Sequence, residues 1–243
     1  MGFRDRAPAR LPVMLAAATR HLPAGYSLRL MTERDYTGVS AICAAVYPTE
    51  LPYTQEELAA HHRVFPEGQF VVQHDSTGVV AGAQFTLVLQ LGLFHLDDPW
   101  DTLTAGGSFA DHDPSGHTLY GADLFVHPEH QHHGIGRTLT ESARGLVCAK
   151  SLWRMVGGSR MPGYGTLATQ LAPDDYIDKV KRGELTDPVL TVHLHDGWDA
   201  ITAIRGYLPH DVESAGWAAV IQWLNPACSP PPEFDVTRLS RRN

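Results

Sequence analysis

The order of apolar and polar residues along the chain predicts a mixed α/β domain. Short runs that alternate, or that are apolar throughout and end at turn residues, indicate strands at 26–31, 69–74, 79–91, 119–126, 152–156, 200–208 and 217–224. Apolar residues three and four positions apart indicate helices at about 11–18, 32–48, 54–66, 135–147, 174–183 and 189–195. The segment from 157 to 164 is expected to be a loop, since it contains three glycines and a proline.

The stretch after the fourth strand carries the clearest chemical signature. The strand stops at Val126-His127-Pro128, a polar turn follows, and Gly134 and Gly136 open the next helix. The first N–H groups of a helix lack internal partners and favour negative charge. Glycine lets a phosphate approach the backbone. This corner is therefore predicted to bind an anion.

Composition excludes some classes of function. The chain has 243 residues and a formal net charge of −8, which suits one domain or two small ones and argues against a nucleic-acid binder. The acidic balance weakly favours a cationic substrate. Three scattered cysteines, Cys43, Cys148 and Cys228, predict a reduced, cytoplasmic setting. No segment approaches the roughly 18 apolar residues of a membrane span, so no membrane partner is expected.

Residues 92–117 form a long segment between predicted strands. Such a segment is usually functional or mobile, and two interpretations stay open: a flap over a substrate site, or a surface excursion. His112, Asp113 and His117 lie within it. Nothing in their spacing fixes a coordination geometry, so no metal site is predicted.

The pattern Gln131-x-x-Gly134-x-Gly136, following Val126-x-Pro128, resembles the acyl-CoA loop of the GNAT superfamily of N-acyltransferases. Thr32 and Asp35 match the T-x-x-D turn that commonly follows the family's first strand. The resemblance covers about residues 26–225. It implies an α/β (α+β) fold: a mixed, mostly antiparallel central sheet flanked by helices, with a splayed central strand.

The domain prediction follows from that resemblance. Residues 1–25 are expected to form an N-terminal arm, 26–228 a single domain, and 229–243 a Pro-rich and then basic tail. The segment at about 157–186 departs from the family as an insertion. A subgroup of the family with R-x-P-G-Y, E-S-x-G and W-x-N-P is matched from Arg160, from Glu213 and from Trp223, and implies no firm acceptor.

The resemblance implies acetyl-CoA as co-substrate and assigns residues to it. The N–H of Leu124 would face the acetyl carbonyl as an oxyanion donor. Val126 would hold pantetheine amides, the N–H groups of residues 132–138 would hold the pyrophosphate, and Arg137 would add charge. The expected cofactor-binding residues are Leu124, Phe125, Val126, Gln131, His132, His133, Gly134, Ile135, Gly136, Arg137 and Thr138.

Catalytic side chains are less clear from the resemblance. The family often protonates the leaving thiolate with a tyrosine five residues before a final aromatic; here His193 stands five before Trp198 and is expected to donate with a pKa nearer neutrality. Tyr120, four residues before Leu124, would order water or line the acceptor site. Asp123 is a better base, but strand alternation should point it to the opposite face unless a bulge re-aims it.

These expectations favour an acetyl-CoA-dependent N-acetyltransferase. It would act on a primary amine of a small molecule or peptide by direct attack in a ternary complex. A non-catalytic acyl-CoA sensor is the main alternative, kept open by the missing tyrosine, and a histidine-cluster metalloenzyme is the third. A homodimer is left open.

Overall fold

The computed structural model describes residues 11–48, 51–90 and 96–231. Within them one sheet has seven strands. The strands are β1 (Tyr26–Leu30), β2 (Gln69–His74), β3 (Val80–Leu89), β4 (Thr118–Val126), β5 (Arg154–Arg160), β6 (Asp199–Arg205) and β7 (Trp217–Leu224). The helices are α1 (Leu11–Ala18), α2 (Tyr36–Val46), α3 (Gln55–Val64), α4 (Trp100–Leu103), α5 (Ile135–Ala149), α6 (Pro173–Lys181) and α7 (Leu190–His195).

The strand order is β1-β2-β3-β4-β5-β7-β6. Every neighbouring pair is antiparallel except β4 and β5, which run parallel. Helices cover both faces: α5 packs on one, and α2 and α3 on the other. The predicted fold class, a mixed and mostly antiparallel sheet flanked by helices, is confirmed.

The parallel pair separates part-way along its length. β4 and β5 pair only where Thr118 to Gly121 face Arg154 to Gly157. Beyond that point β4 continues against β3 alone, while β5 continues against β7 alone. From Ala122 onward, the side of β4 that faces β5 therefore has no strand partner. This is the predicted splay of the central strand, and it opens a cleft in the sheet.

Strand β5 is longer than its sequence suggests. It was expected to end at 156 and give way to a loop, but it continues through Gly157, Gly158 and Ser159 to Arg160. A Cβ at Gly158 would overlap the ring of Tyr207. These glycines therefore serve close packing within a strand rather than a turn. The prediction of a loop from residue 157 was wrong for that reason.

The helix predicted at 11–18 is present as α1, and its end is buried at Ala18 against the rest of the protein. The tail from residue 229 lies almost wholly outside the described residues. The division into arm, domain and tail stays a prediction. No helix in the described part of the chain is long and apolar enough to cross a membrane.

The segment 92–117 is packed against the domain over the part that the structure describes. Phe109 is fully buried and stacks on His61, with ring centroids 3.7 Å apart. The Nε2 atom of His61 lies 2.6 Å from the carbonyl oxygen of Gly107. The indole N–H of Trp100 donates to the carbonyl of Ala122 on β4 at 2.9 Å. These contacts fix the segment beside the cleft. This position favours its interpretation as a cover over a substrate site rather than as a surface excursion.

Candidate active site

A cavity of about 920 Å³ follows the cleft between β4 and β5. At one end it reaches the loop before α5. At the other it passes between β4, the end of α2, the segment with Trp100 and the turn at Tyr207. The splay thus connects an anion-binding corner to a chamber lined by side chains.

The anion-binding corner is built by local backbone conformation. His132 and Gly134 both have positive φ, 63° and 74°, and Gly134 is the N-cap of α5 without a side-chain cap. The first N–H groups of this helix therefore remain available to a ligand. A Cβ at Gly134 would lie 2.5 Å from the carbonyl oxygen of His21, whereas a Cβ at Gly136 would meet nothing closer than 3.8 Å, at Leu124 and Val126. Both glycines line the cleft, but only at Gly136 does a side chain have room.

The predicted cofactor residues divide into two groups. The cavity wall includes Leu124, Phe125, Val126, Gln131, His132, Gly134, Ile135 and Gly136. It does not include His133, Arg137 or Thr138. The N–H of Thr138 donates to the carbonyl of Gly134 at 2.9 Å inside the helix. The expectation that pyrophosphate donors extend to residue 138 stays a prediction, and this intrahelical bond favours donors nearer the start of the helix.

A β-bulge changes the direction of Asp123. Phe85 and Thr86 are consecutive on β3, yet they face Asp123 and Gly121 on β4, so Ala122 is the extra residue. A bulge shifts the residues beyond it by one step of the pleat. Asp123 therefore shares the α2 face with Tyr120. Simple alternation, which placed it on the opposite face, does not hold here.

The Asp123 carboxylate lies beside two tyrosines. The Tyr53 hydroxyl donates to Oδ2 at 2.7 Å, and Tyr47 lines the same cavity. Burial raises the pKa of Asp123 from 3.8 to about 6, while the hydrogen bond from Tyr53, and then the nearby Tyr47, act in the opposite direction. A carboxylate that titrates near neutrality and lines a cavity has the properties of a general base.

Tyr120 does not reach the cavity. It is 2% exposed, and its hydroxyl lies 3.3 Å from that of Tyr207, which does line the cavity. Burial, and then the neighbouring Tyr207, raise the pKa of Tyr120 well above its usual value. Tyr120 therefore supports Tyr207 and does not itself contact the cavity.

His193 lines the cavity on α7, with Nδ1 2.9 Å from the hydroxyl of Ser159. Burial lowers its pKa to about 4 and outweighs the opposing charge of Asp196. The imidazole is therefore neutral at pH 7. The expected pKa nearer neutrality was wrong, since the position is enclosed by protein.

The match to known proteins decides the family. The acetyltransferase (GNAT) family matches residues 32–146. The uncharacterized N-acetyltransferase YkwB of Bacillus subtilis (strain 168) is 33% identical over 179 residues, covering 74% of this chain and 78% of YkwB. The chain belongs to the GNAT family. It is therefore an acyltransferase, and acetyl-CoA is the family's co-substrate.

Two further similarities extend beyond simple acetyl transfer. The probable hydrolase YhcX of Bacillus subtilis (strain 168) is 28% identical over 198 residues; the match covers 82% of this chain, which spans only 38% of the length of YhcX. The structure of the GphF GNAT-like decarboxylase in complex with isobutyryl-CoA is 26% identical, with a TM-score of 0.65, and the match covers 81% of this chain and 98% of that one.

The subgroup segments contact one another beside the GNAT cleft. Arg160 forms a bidentate ion pair with Asp211, with both distances 2.7 Å, and a further one with Glu213 at 3.0 Å. The N–H of Met161 donates to the Ser214 hydroxyl at 3.1 Å. These bonds fix the turn that carries Tyr207 against β5. The sequence did not identify Tyr47, Tyr53 and Tyr207 as site residues, because no local sequence pattern links residues that lie so far apart in the chain.

The metal interpretation finds no support in the described residues. No group of three or more His, Cys, Asp or Glu side chains in the described part of the chain could hold a metal ion. His112 instead accepts a hydrogen bond from the Val88 N–H at 3.0 Å and stacks on Phe65.

Proposed function

We propose that the protein transfers an acetyl group from acetyl-CoA to the primary amine of a small molecule or peptide, by direct attack. The observation that carries this proposal is Asp123, a cavity-lining carboxylate with a pKa of about 6 on the part of β4 that no longer pairs with β5. It stands between the anion-binding corner and the side-chain chamber, where an acceptor amine would meet a thioester.

The cofactor would lie along the cleft. The open N–H groups at the start of α5 would bind the pyrophosphate, assisted by the dipole of this 15-residue helix. The unpartnered side of β4 would bond the pantetheine amides, as a neighbouring strand would. In this arrangement the N–H of Leu124 stabilises the oxyanion that forms on the acetyl carbonyl.

The chemistry needs two proton movements. The acceptor arrives as an ammonium ion and gives one proton to Asp123, which leaves a neutral amine. The nitrogen attacks the thioester carbon, the C–N bond forms, and the C–S bond breaks with its electron pair on sulfur. The second nitrogen proton passes to the thiolate. Neutral His193 can donate a hydrogen bond in this step, but it carries no extra proton at pH 7.

The similarity to the GphF decarboxylase favours a second candidate function, decarboxylation of a CoA thioester whose acyl group carries a carboxylate. The chamber disfavours that chemistry, because an acyl carboxylate would lie near the Asp123 carboxylate and the two would repel. An acyl-CoA sensor without turnover is a weaker alternative, since the chain belongs to a family of enzymes.

The test is release of free thiol from acetyl-CoA with a panel of primary amines, run beside carbon dioxide release from malonyl-CoA. The proposal predicts amine-dependent thiol release that Asp123→Asn removes. Carbon dioxide release without any amine-dependent thiol would favour the decarboxylase. Tight CoA binding with neither product would favour the sensor.

A further inference from the structure

The chamber beyond Asp123 is lined by aromatic side chains. Tyr47, Tyr53, Trp100 and Tyr207 all lie in the cavity wall around this carboxylate. Three of them have a fixing hydrogen bond: Tyr53 bonds Asp123, Trp100 bonds the carbonyl of Ala122, and the Tyr207 hydroxyl meets that of Tyr120. Aromatic faces attract organic cations, and most strongly where water is excluded. Here four aromatic side chains line the same cavity as a carboxylate, which attracts the same ligands.

The charged side chains in the cavity wall also favour a cationic ligand. Arg160 is the only Lys or Arg among the described residues that line the cavity. Three of its N–H bonds go to Asp211 and Glu213, so two carboxylates outweigh its one positive charge. Glu57 and Asp101 add two further carboxylates to the outer wall. A ligand carboxylate would meet mostly negative charge there.

We infer that the acceptor is a compact organic amine with an apolar or aromatic body and no carboxylate, bound as its ammonium ion between the tyrosines and Asp123. This inference rests on the proposed acetyl transfer and narrows its acceptor. Free amino acids are disfavoured, because their carboxylate has no uncompensated cation to bind. The amine end fits instead, since Asp123 both pairs with the ammonium and removes its proton.

The experiment compares three acceptors that share one body: 2-phenylethylamine, phenylalaninamide and phenylalanine. The amine should exceed phenylalanine in kcat/KM by on the order of 100-fold, because like-charge contacts cost several kcal/mol. Phenylalaninamide has the size of the amino acid without its negative charge. It should fall near the amine if charge decides, and near phenylalanine if size decides.

A surface variant isolates the charge. Glu213 is 70% exposed, so Glu213→Gln should fold normally while removing one of the two charges that offset Arg160. The preference for the amine over phenylalanine should narrow by roughly 3- to 10-fold, since the pair is partly solvated. Glu184→Gln is the matched control. Glu184 is an exposed carboxylate paired with Lys179 and Arg182, and its loss should leave the preference unchanged.

Three outcomes would overturn the inference. Phenylalanine turned over as well as 2-phenylethylamine would mean that the remaining N–H groups of Arg160 hold the carboxylate. Equal effects of Glu213→Gln and Glu184→Gln would mean that wall charge does not select. Phenylalaninamide matching phenylalanine would mean that size selects. Absence of thiol release with every amine, including alkylamines and peptides, would instead contradict the proposed acetyl transfer.

Discussion

The two ends of the cleft are built in different ways. The anion-binding corner comes from one continuous segment, residues 131–136, and offers mainly backbone N–H groups. The chamber is assembled from Tyr47, Tyr53, Trp100, Asp123 and Tyr207, which come from four separate parts of the chain. The first end can hold a phosphate with almost any side chains. The second depends on particular side chains, so the acceptor should change more readily between relatives than the cofactor does.

Removing the base should produce the largest effect, and only at the chamber end. Asp123→Asn keeps the shape and still accepts a hydrogen bond from Tyr53, but it cannot take a proton. We expect kcat/KM for the amine to fall by about 10²–10⁴-fold, the usual contribution of a general base. Calorimetry should find CoA affinity unchanged. If the variant keeps its activity, Asp123 is not the base. If it loses CoA binding, the two ends of the cleft do not act independently.

A substitution at the anion-binding corner tests the other end of the cleft. In Gly136→Glu the new side chain would enter the cleft beside Leu124 and Val126 and place a negative charge near the phosphates. We expect CoA to bind on the order of 100-fold more weakly. Gly136→Ala is the control and should bind normally, because its Cβ has room and alanine suits a helix. Gly134 is unsuitable for this test, since any Cβ there meets His21.

Normal CoA binding by a folded Gly136→Glu protein would mean that the phosphates lie elsewhere.

The same contrast explains what the sequence revealed. Most strands, the helix that begins at Ile135 and the glycine loop follow from local periodicity and turn chemistry, so they were predictable. The direction of Asp123 was not, because it depends on the bulge at Ala122, which arises from the pairing of β4 with β3. Nor was the pKa of His193, since burial depends on what packs over α7. The end of β5 was predicted too early, because Gly158 was taken as a turn residue. Glycine is needed there because the distant Tyr207 packs against it.

The cost of keeping Asp123 in the chamber should be visible in stability. Its pKa is about 6 when folded and 3.8 as the usual value, so the stability that its protonated form contributes is fully present below 3.8 and is lost as pH rises through 6. Above that, Asp123→Asn should be more stable than the parent by about 1–3 kcal/mol. Denaturant unfolding at pH 8 and pH 4 checks this. A gain of equal size at both values would show that packing, and not ionisation, is responsible.

The smallest effect is expected at His193. Because its pKa is about 4, activity should show no loss on the alkaline side near pH 6.5. His193→Gln can still donate a hydrogen bond, so kcat should fall by less than about tenfold. His195→Gln, at an exposed position on the same helix, is the control. A larger fall in kcat, together with an activity loss above neutral pH in the parent, would contradict this expectation. It would mean that protonated His193 is the acid that protonates the thiolate.

The most direct test of Asp123 as the base beside Tyr53 is the pH dependence of kcat/KM in the parent and in Tyr53→Phe, expressed per concentration of the ammonium form of the acceptor. The parent should show a rising limb with a pKa of about 6, the value at which Asp123 releases its proton. Tyr53 donates at 2.7 Å to the ionised carboxylate and so lowers that pKa. Its removal should move the limb to higher pH and leave CoA affinity unchanged. A limb that is absent, or that stays in place in Tyr53→Phe, would contradict the assignment of Asp123.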